Sequence, residues 1–242
     1  MKQAKYRLLL LAGLLGAGGL LHADPDTSRP TPPPGLVQAR VFRNLSLQDF
    51  KLEGVLQTSK HTYPIELRTR DHEMVYLFKD QPLQIRVTLD PEHATVERRH
   101  GSGDSWQAVS GRGLEQGILD SDVAYEDLGL SFIFWDRITG IGCDSIKTLP
   151  AWCFEARPPE GGSSLYAKVR YWISSEYYAF LRVDGYNGQG QAVKRVEVNG
   201  VQRIGDAYVI KEMQISTLIP GTDVSSSRTY IDVNSGAPGS GL

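Results

Sequence analysis

The side chains able to do chemistry are few and scattered. Of the five histidines, His22, His61, His72, His93 and His100, no two have the spacing that brings imidazoles onto one metal ion. Ser163 and Ser164 follow Gly161 and Gly162 but not in the GxSxG pattern of a nucleophile elbow. The glycine pairs Gly101 with Gly103 and Gly188 with Gly190 lead into strands or polar loops rather than helices, so they do not cradle phosphate. Carboxylates are numerous, yet the sequence singles out no pair of them for acid and base work. It names no catalytic residue, no metal ligand and no cofactor.

Cys143 and Cys153 are the two cysteines. The stretch between them reads strand, turn at 147–150, strand, a register that sets Cys143 opposite Cys153 and Ile146 opposite Pro150. A cross-strand disulfide fits that register and closes a short loop worth about 2–3 kcal/mol in the chain-entropy model. Two free, buried thiols are the alternative.

The elements that position these side chains are organised around residues 120–136, DSDVAYEDLGLSFIFWD. Ala124, Leu128, Phe132 and Trp135 recur at steps of four, four and three, with Leu130 and Phe134 beside them, which predicts a short apolar helix. Asp122 suits its N-terminal cap, and Glu126 and Asp127 suit the positive end of its dipole. Gly129 costs about 1 kcal/mol in a helix interior, so the segment needs an apolar surface to lie on.

Residues 1–23 have basic Lys2, Lys5 and Arg7, an apolar run over 8–21, then His22 and Ala23. That is the pattern of a cleaved secretory signal peptide, and the run is too short to span a bilayer. The product is expected outside the cytoplasm. The formal net charge is −2, and the signal removes only basic residues, so nothing recruits nucleic acid. Residues 24–35 are a proline-dense leader, expected to be mobile. A helix of two to three turns is predicted over 36–44, from Leu36, Val37, Ala39, Val41 and Phe42.

From 49 to 96 the period changes to two. Phe50, Leu52 and Leu56, then Tyr63, Ile65 and Leu67, then Met74, Tyr76 and Phe78, then Leu83, Ile85, Val87 and Leu89 alternate with polar neighbours, as half-buried antiparallel strands do. The pattern resumes at 141–146 and 151–157. Val169, Tyr171 and Ile173 then face away from Lys168, Arg170 and Trp172, and Ala179, Leu181 and Val183 away from Phe180 and Arg182. Further strands follow to Val233, and 234–242 is expected to fray. The fold class is mainly β (α+β), one sequential meander of about eleven strands, too much sheet to stay flat. An unclosed antiparallel half-barrel with short helices over its concave face is expected, in one domain over 36–233.

The segment SDVAYEDL (121–128) followed by apolar 132–135 resembles a motif of the bacterial outer-membrane lipoprotein-sorting family with the LolA-like fold. The later order is similar too: a Pro-Ala-Trp-Cys step at 150–153, Pro158 with Pro159, SSLYAKVRYWIS at 163–174 and FLRVDGYNGQGQAVKRVEV at 180–198. The resemblance covers about 45–233. It implies an unclosed barrel holding lipid or lipoprotein acyl chains between membranes in the periplasm, without covalent chemistry. Its expected partner is an inner-membrane lipid or lipoprotein transporter, and its expected state a monomer. The family's long leading helix is replaced here by the leader and a brief helix, and no arginine matches the family's gating arginine.

Acyl chains are held by area removed from water, about 25 cal/mol per Å², so the expected lining is apolar. Phe50, Leu52, Leu56, Ile65, Leu67, Tyr171, Ile173, Leu181 and Val183 are its candidates, closed by Leu128, Phe132 and Trp135; a permanently packed core is the plain alternative for each. A periplasmic sensor or regulator that binds a protein partner through the same fold is the alternative function.

Overall fold

The computed structural model describes residues 25–45, 47–90, 93–162, 164–204 and 207–238. The expected signal peptide lies outside them. Among the described residues no helix is long and apolar enough to cross a membrane.

A twelve-residue helix, α1 (Pro34–Leu45), opens the fold. It begins two residues earlier than the apolar pattern predicts because Pro34 occupies the first turn, where its fixed φ helps and its missing N–H costs nothing. Thirteen strands follow: β1 (Leu47–Gln57), β2 (Thr62–Asp71), β3 (Glu73–Phe78), β4 (Leu83–Leu89), β5 (Ala94–His100), β6 (Gln107–Ala108), β7 (Arg137–Ile146), β8 (Leu149–Arg157), β9 (Lys168–Ser174), β10 (Phe180–Tyr186), β11 (Ala192–Ile204), β12 (Ala207–Leu218) and β13 (Ser225–Pro238). All belong to one antiparallel sheet, an unclosed half-barrel, in the order β6-β5-β4-β3-β2-β1-β13-β12-β11-β10-β9-β8-β7.

The sheet is therefore not one sequential meander. Two meanders, β1–β6 and β7–β13, join through β1 and β13, which pair from Phe50↔Pro238 to Gln57↔Tyr230. β13 thus stays in the ladder as far as Pro238, past the expected fraying from Asn234. This order has a consequence for residues 109–136. They connect β6 to β7, the two outer edges, so the chain has to traverse the whole curled sheet between them. Covering the concave face is imposed on this segment by topology.

The leader is not a mobile spacer. Asp26 forms an antiparallel bridge with Cys143 of the edge strand β7, its N–H donating to the Cys143 carbonyl at 2.7 Å and its carbonyl accepting the Cys143 N–H at 3.1 Å. Unpaired edge strands need such cover.

The predicted disulfide is absent: Cys143 and Cys153 are both free and buried. Lys147 and Thr148 both have positive φ, 48° and 73°, and form a two-residue turn of the type that matches strand twist. This tight turn pairs Ile146 with Leu149 and Cys143 with Trp152. It slips the expected register by one residue, and a one-residue slip sends the two thiols to opposite faces.

Candidate functional site: the segment across the concave face

The stretch 120–136 is not one helix. It forms a single turn, α2 (Tyr125–Gly129), then a 3-10 turn over Ser131–Phe134. Between them Leu130 sits in the left-handed region at φ 48°, a conformation costing a non-glycine residue about 1–2 kcal/mol. Gly129 explains the break. A Cβ there would lie 3.3 Å from Val96 Cγ2, so α2 presses its end onto β5 and the chain must leave sharply.

The break divides the predicted stripe. Leu128 packs with Leu56, Ile65, Ile85, Val87, Ile215 and Ile231 under β1–β5 and the adjoining β13 and β12. Phe132 and Trp135 join Phe154, Tyr171, Ile173 and Val183 under the β8–β10 half, with Val37 and Val41 of α1 on top. Phe132 lies 5.3 Å from the Tyr171 ring and edge-on to Phe180 at 5.7 Å. These geometries add to the area buried.

Of the predicted lining, Leu56, Ile65, Leu67, Leu128, Phe132, Trp135, Tyr171, Ile173 and Val183 are thus brought together in two adjoining clusters. Phe50 and Leu52 share the face of Leu56 but pack at the far end of β1 with Ile204, Val209 and Val233. Leu181 is on the opposite face, against Cys153, Trp172, Ile146 and Ala151. The cause is a bulge: Phe180 pairs with Ile173 and Arg182 with Trp172. The extra residue, Leu181, breaks the alternation that grouped it with Val183. Sequence reasoning also left out Phe154, Phe180, Ile133 and the α1 pair Val37 and Val41. The four-residue step of Val37 and Val41 was the available signal for the last two.

The two halves of the segment are held differently. Four carboxylates fasten the first half. Asp120 Oδ2 lies 2.8 Å from His61 Nδ1, and its Oδ1 accepts the Tyr63 hydroxyl at 2.8 Å; the hydrogen bond to His61 leads the causes that hold this carboxyl below its usual value. Asp122 does not cap a helix. Its carboxylate accepts hydroxyl protons from Thr217 at 2.5 Å, from Thr229 at 3.0 Å and from Ser227, while its N–H donates to Thr229 Oγ1 at 2.8 Å. Lys194 donates to the Asp122 carbonyl and pairs with Asp127 at 3.6 Å.

Asp127 accepts the Ala124 N–H at 2.8 Å and the Tyr166 hydroxyl at 2.6 Å. Glu126 accepts from the Ser164 hydroxyl at 2.5 Å and the Leu165 N–H at 2.7 Å. Burial dominates at Glu126 and raises its carboxyl above the usual value, against the lowering effect of those two bonds. A cavity of about 290 Å³ opens beside these anchors, lined by Val123, Leu165, Val193, Lys194 and Thr217 among others.

The second half has no such fastening. Among the described residues one side-chain hydrogen bond reaches it, from Gln38 Nε2 of α1 to the Ile133 carbonyl at 2.6 Å. Its remaining hold is apolar. Among the described residues no group of three or more His, Cys, Asp or Glu is placed to hold a metal ion.

The fold is LolA-like. The chain is similar to a DUF1329 family protein from Desulfovibrio piger, at TM-score 0.70 and 16% identity over 86% of this chain and 93% of that one. It is similar, at TM-score 0.70 and 15% identity over 86% and 93%, to a structure from Vibrio parahaemolyticus described as an outer membrane lipoprotein-sorting protein domain. A LolA superfamily protein from Nitrosomonas europaea follows at TM-score 0.58 and 12% identity over 83% and 92%. Curated proteins give no significant match. The model of a family described as "Uncharacterized protein" matches residues 103–238, more than half of the chain, and the chain belongs to that family.

Proposed function

We propose that this protein binds the acyl chains of lipid or lipoprotein on its concave face and carries them between membranes, outside the cytoplasm and without covalent chemistry. The observation that carries the reading is the asymmetry of the covering segment. Residues 120–127 are fastened by four carboxylates, residues 131–135 rest on apolar packing and one hydrogen bond, and Leu130 lies between as a hinge.

The energetics suit a reversible exchange. Exposing the side chains of Phe132, Ile133 and Trp135 costs on the order of 1.5–3 kcal/mol each. An incoming chain recovers about 0.8 kcal/mol per buried methylene, so eight or so methylenes offset the opening. A ligand held by area alone is released when a more apolar acceptor is offered. On this reading an inner-membrane lipid or lipoprotein transporter supplies the cargo.

The test is native mass spectrometry of protein purified from its own envelope, followed by lipid extraction and repeated with Phe132→Glu. Bound acyl species that disappear in the variant, with the β-sheet signal intact by circular dichroism, are the expected result. A mass that stays bare after acylated peptides and lipids are added would sink the proposal.

A further inference from the structure

We infer that residues 25–33 are a strap that latches α1 and the covering segment shut against the edge strand β7, and that its release opens the concave face. The inference rests on the acyl-binding reading and adds the element that controls it.

Strand β7 is shaped to receive this strap. A Cβ on Gly140 would fall 1.7 Å from Thr31 Oγ1, and one on Gly142 would fall 2.6 Å from the Asp26 carbonyl oxygen. Gly142 also has φ 139°, a backbone conformation that side chains disfavour. Two glycines on an edge strand weaken it, and here both open the surface on which the leader lies. The strap in turn roofs a thiol: Cys143 Sγ is 3.7 Å from the Arg29 carbonyl oxygen and 3.9 Å from that of Pro30.

The leader's own sequence is suited to docking. Pro25, Pro30, Pro32 and Pro33 restrict the free chain to extended forms, so less conformational freedom is lost on binding. Asp26 fixes the turn that follows, accepting the Ser28 N–H at 3.0 Å and its hydroxyl at 2.6 Å.

No linker separates the strap from the lid. Pro33 is followed directly by α1, whose Val37 and Val41 pack over the Phe132 cluster and whose Gln38 grips Ile133. The far end of α1 is fixed separately, by Asn44 Nδ2 donating to the Tyr177 carbonyl at 2.8 Å. Strap, helix and the loosely held half of the covering segment form one mechanical series, whose attachment at β7 is two main-chain hydrogen bonds and the seating of Thr31. Detaching the strap removes the restraint at the N-terminal end of α1 and leaves the helix hinged at Asn44.

Cys143 reports the strap's position. Two variants attack the contact from opposite sides: Gly140→Val fills the seat of Thr31, and Asp26→Pro removes the N–H that donates to Cys143 while leaving the sheet untouched. Native protein is treated with a maleimide, labelling at Cys143 is followed by peptide mass spectrometry, and uptake of a fluorescent sixteen-carbon fatty acid is timed in parallel. Both variants should label Cys143 at least tenfold faster than the wild type and take up the probe several-fold faster, with unchanged circular dichroism.

Faster labelling with wild-type uptake rates in both variants would overturn the latch and leave acyl binding standing. Unchanged labelling in Asp26→Pro would overturn the strap itself. If no form takes up the probe, the acyl reading falls, and the latch with it.

Discussion

The amide of Gln38 donates to the carbonyl of Ile133 at 2.6 Å, and by this bond the first helix grips the half of the covering segment that lacks carboxylate anchors. Its partner is a backbone carbonyl within a 3-10 turn, so the bond fixes main-chain position rather than one rotamer. Removing it should loosen the turn more than the domain. Gln38→Ala is expected to lower global stability by about 1 kcal/mol, while amide exchange over 131–135 accelerates beyond what that loss explains. Hydrogen exchange resolved by peptide separates the two, and uniform acceleration across the sheet would refute the local role.

Asp122 should behave in the opposite way. Its carboxylate collects three hydroxyl donors from β12 and β13, and Thr229 is fully buried. Asp122→Asn keeps the shape but turns one acceptor into a donor facing hydroxyls. A loss of about 2–3 kcal/mol is expected, since hydrogen bonds to a charged group are among the stronger ones. Urea denaturation measures it, and a loss below half a kcal/mol would show that the anchor is redundant.

Glu126 gives a pH dependence. Its carboxyl is raised above the ordinary 4.5, with burial the largest cause. The folded protein therefore holds this proton to higher pH than the unfolded chain does. The stability this group contributes is fully present below pH 4.5 and is lost as pH rises through the raised value. Glu126→Gln, which stays neutral, should flatten that decline, so the difference in stability between variant and wild type should grow in the variant's favour from pH 4.5 upward. A difference that is constant over pH 4–8 would mean that Glu126 titrates normally.

What the sequence made legible, and what it hid, divides by whether alternation was interrupted. β9 alternates without a break, and Val169, Tyr171 and Ile173 are on the expected face. β10 carries a bulge at Leu181, which no residue type announces, and Phe180 instead of Leu181 shares the face of Val183. In β7 the stretch 141–146 read as an ordinary strand, and nothing in it announced that Gly140 and Gly142 lie against Thr31 and Asp26 of the leader. The four-residue stripe through Phe132 was real as burial but came from two short turns on two halves of the core, which is why one helix was the natural prediction. The carboxylates of SDVAYEDL looked like helix-end charges because their partners, at Ser164, Tyr166, Thr217 and Thr229, are distant in sequence.

The bulge at Leu181 separates stability from binding. Leu181 packs on the face away from the covering segment, and Val183 under it. Leu181→Ala should cost about 2–3 kcal/mol through the cavity it leaves and leave the affinity for a fatty-acid probe unchanged. Val183→Ala should cost less and shift that affinity. Equal effects of both variants on probe binding would mean that the ligand is not held on the concave face.

The turn of β7 and β8 supplies the last prediction. Thr148 is β-branched and sits at φ 73°, a region in which such a residue is a strained outlier. The strain is retained because the two-residue turn sets Ile146 opposite Leu149 and so places Ile146, which is 3% exposed, in the small outer core with Cys153 and Trp172. Thr148→Gly should keep this register and stabilise the protein by about 1 kcal/mol, since glycine adopts positive φ at no steric cost. In the same register the two thiols face opposite sides, so wild-type protein denatured without reductant should accept two alkylating groups. A chain that accepts none until it is reduced would show Cys143 paired with Cys153, which requires the other register; Thr148→Gly would then destabilise the hairpin instead of relieving it.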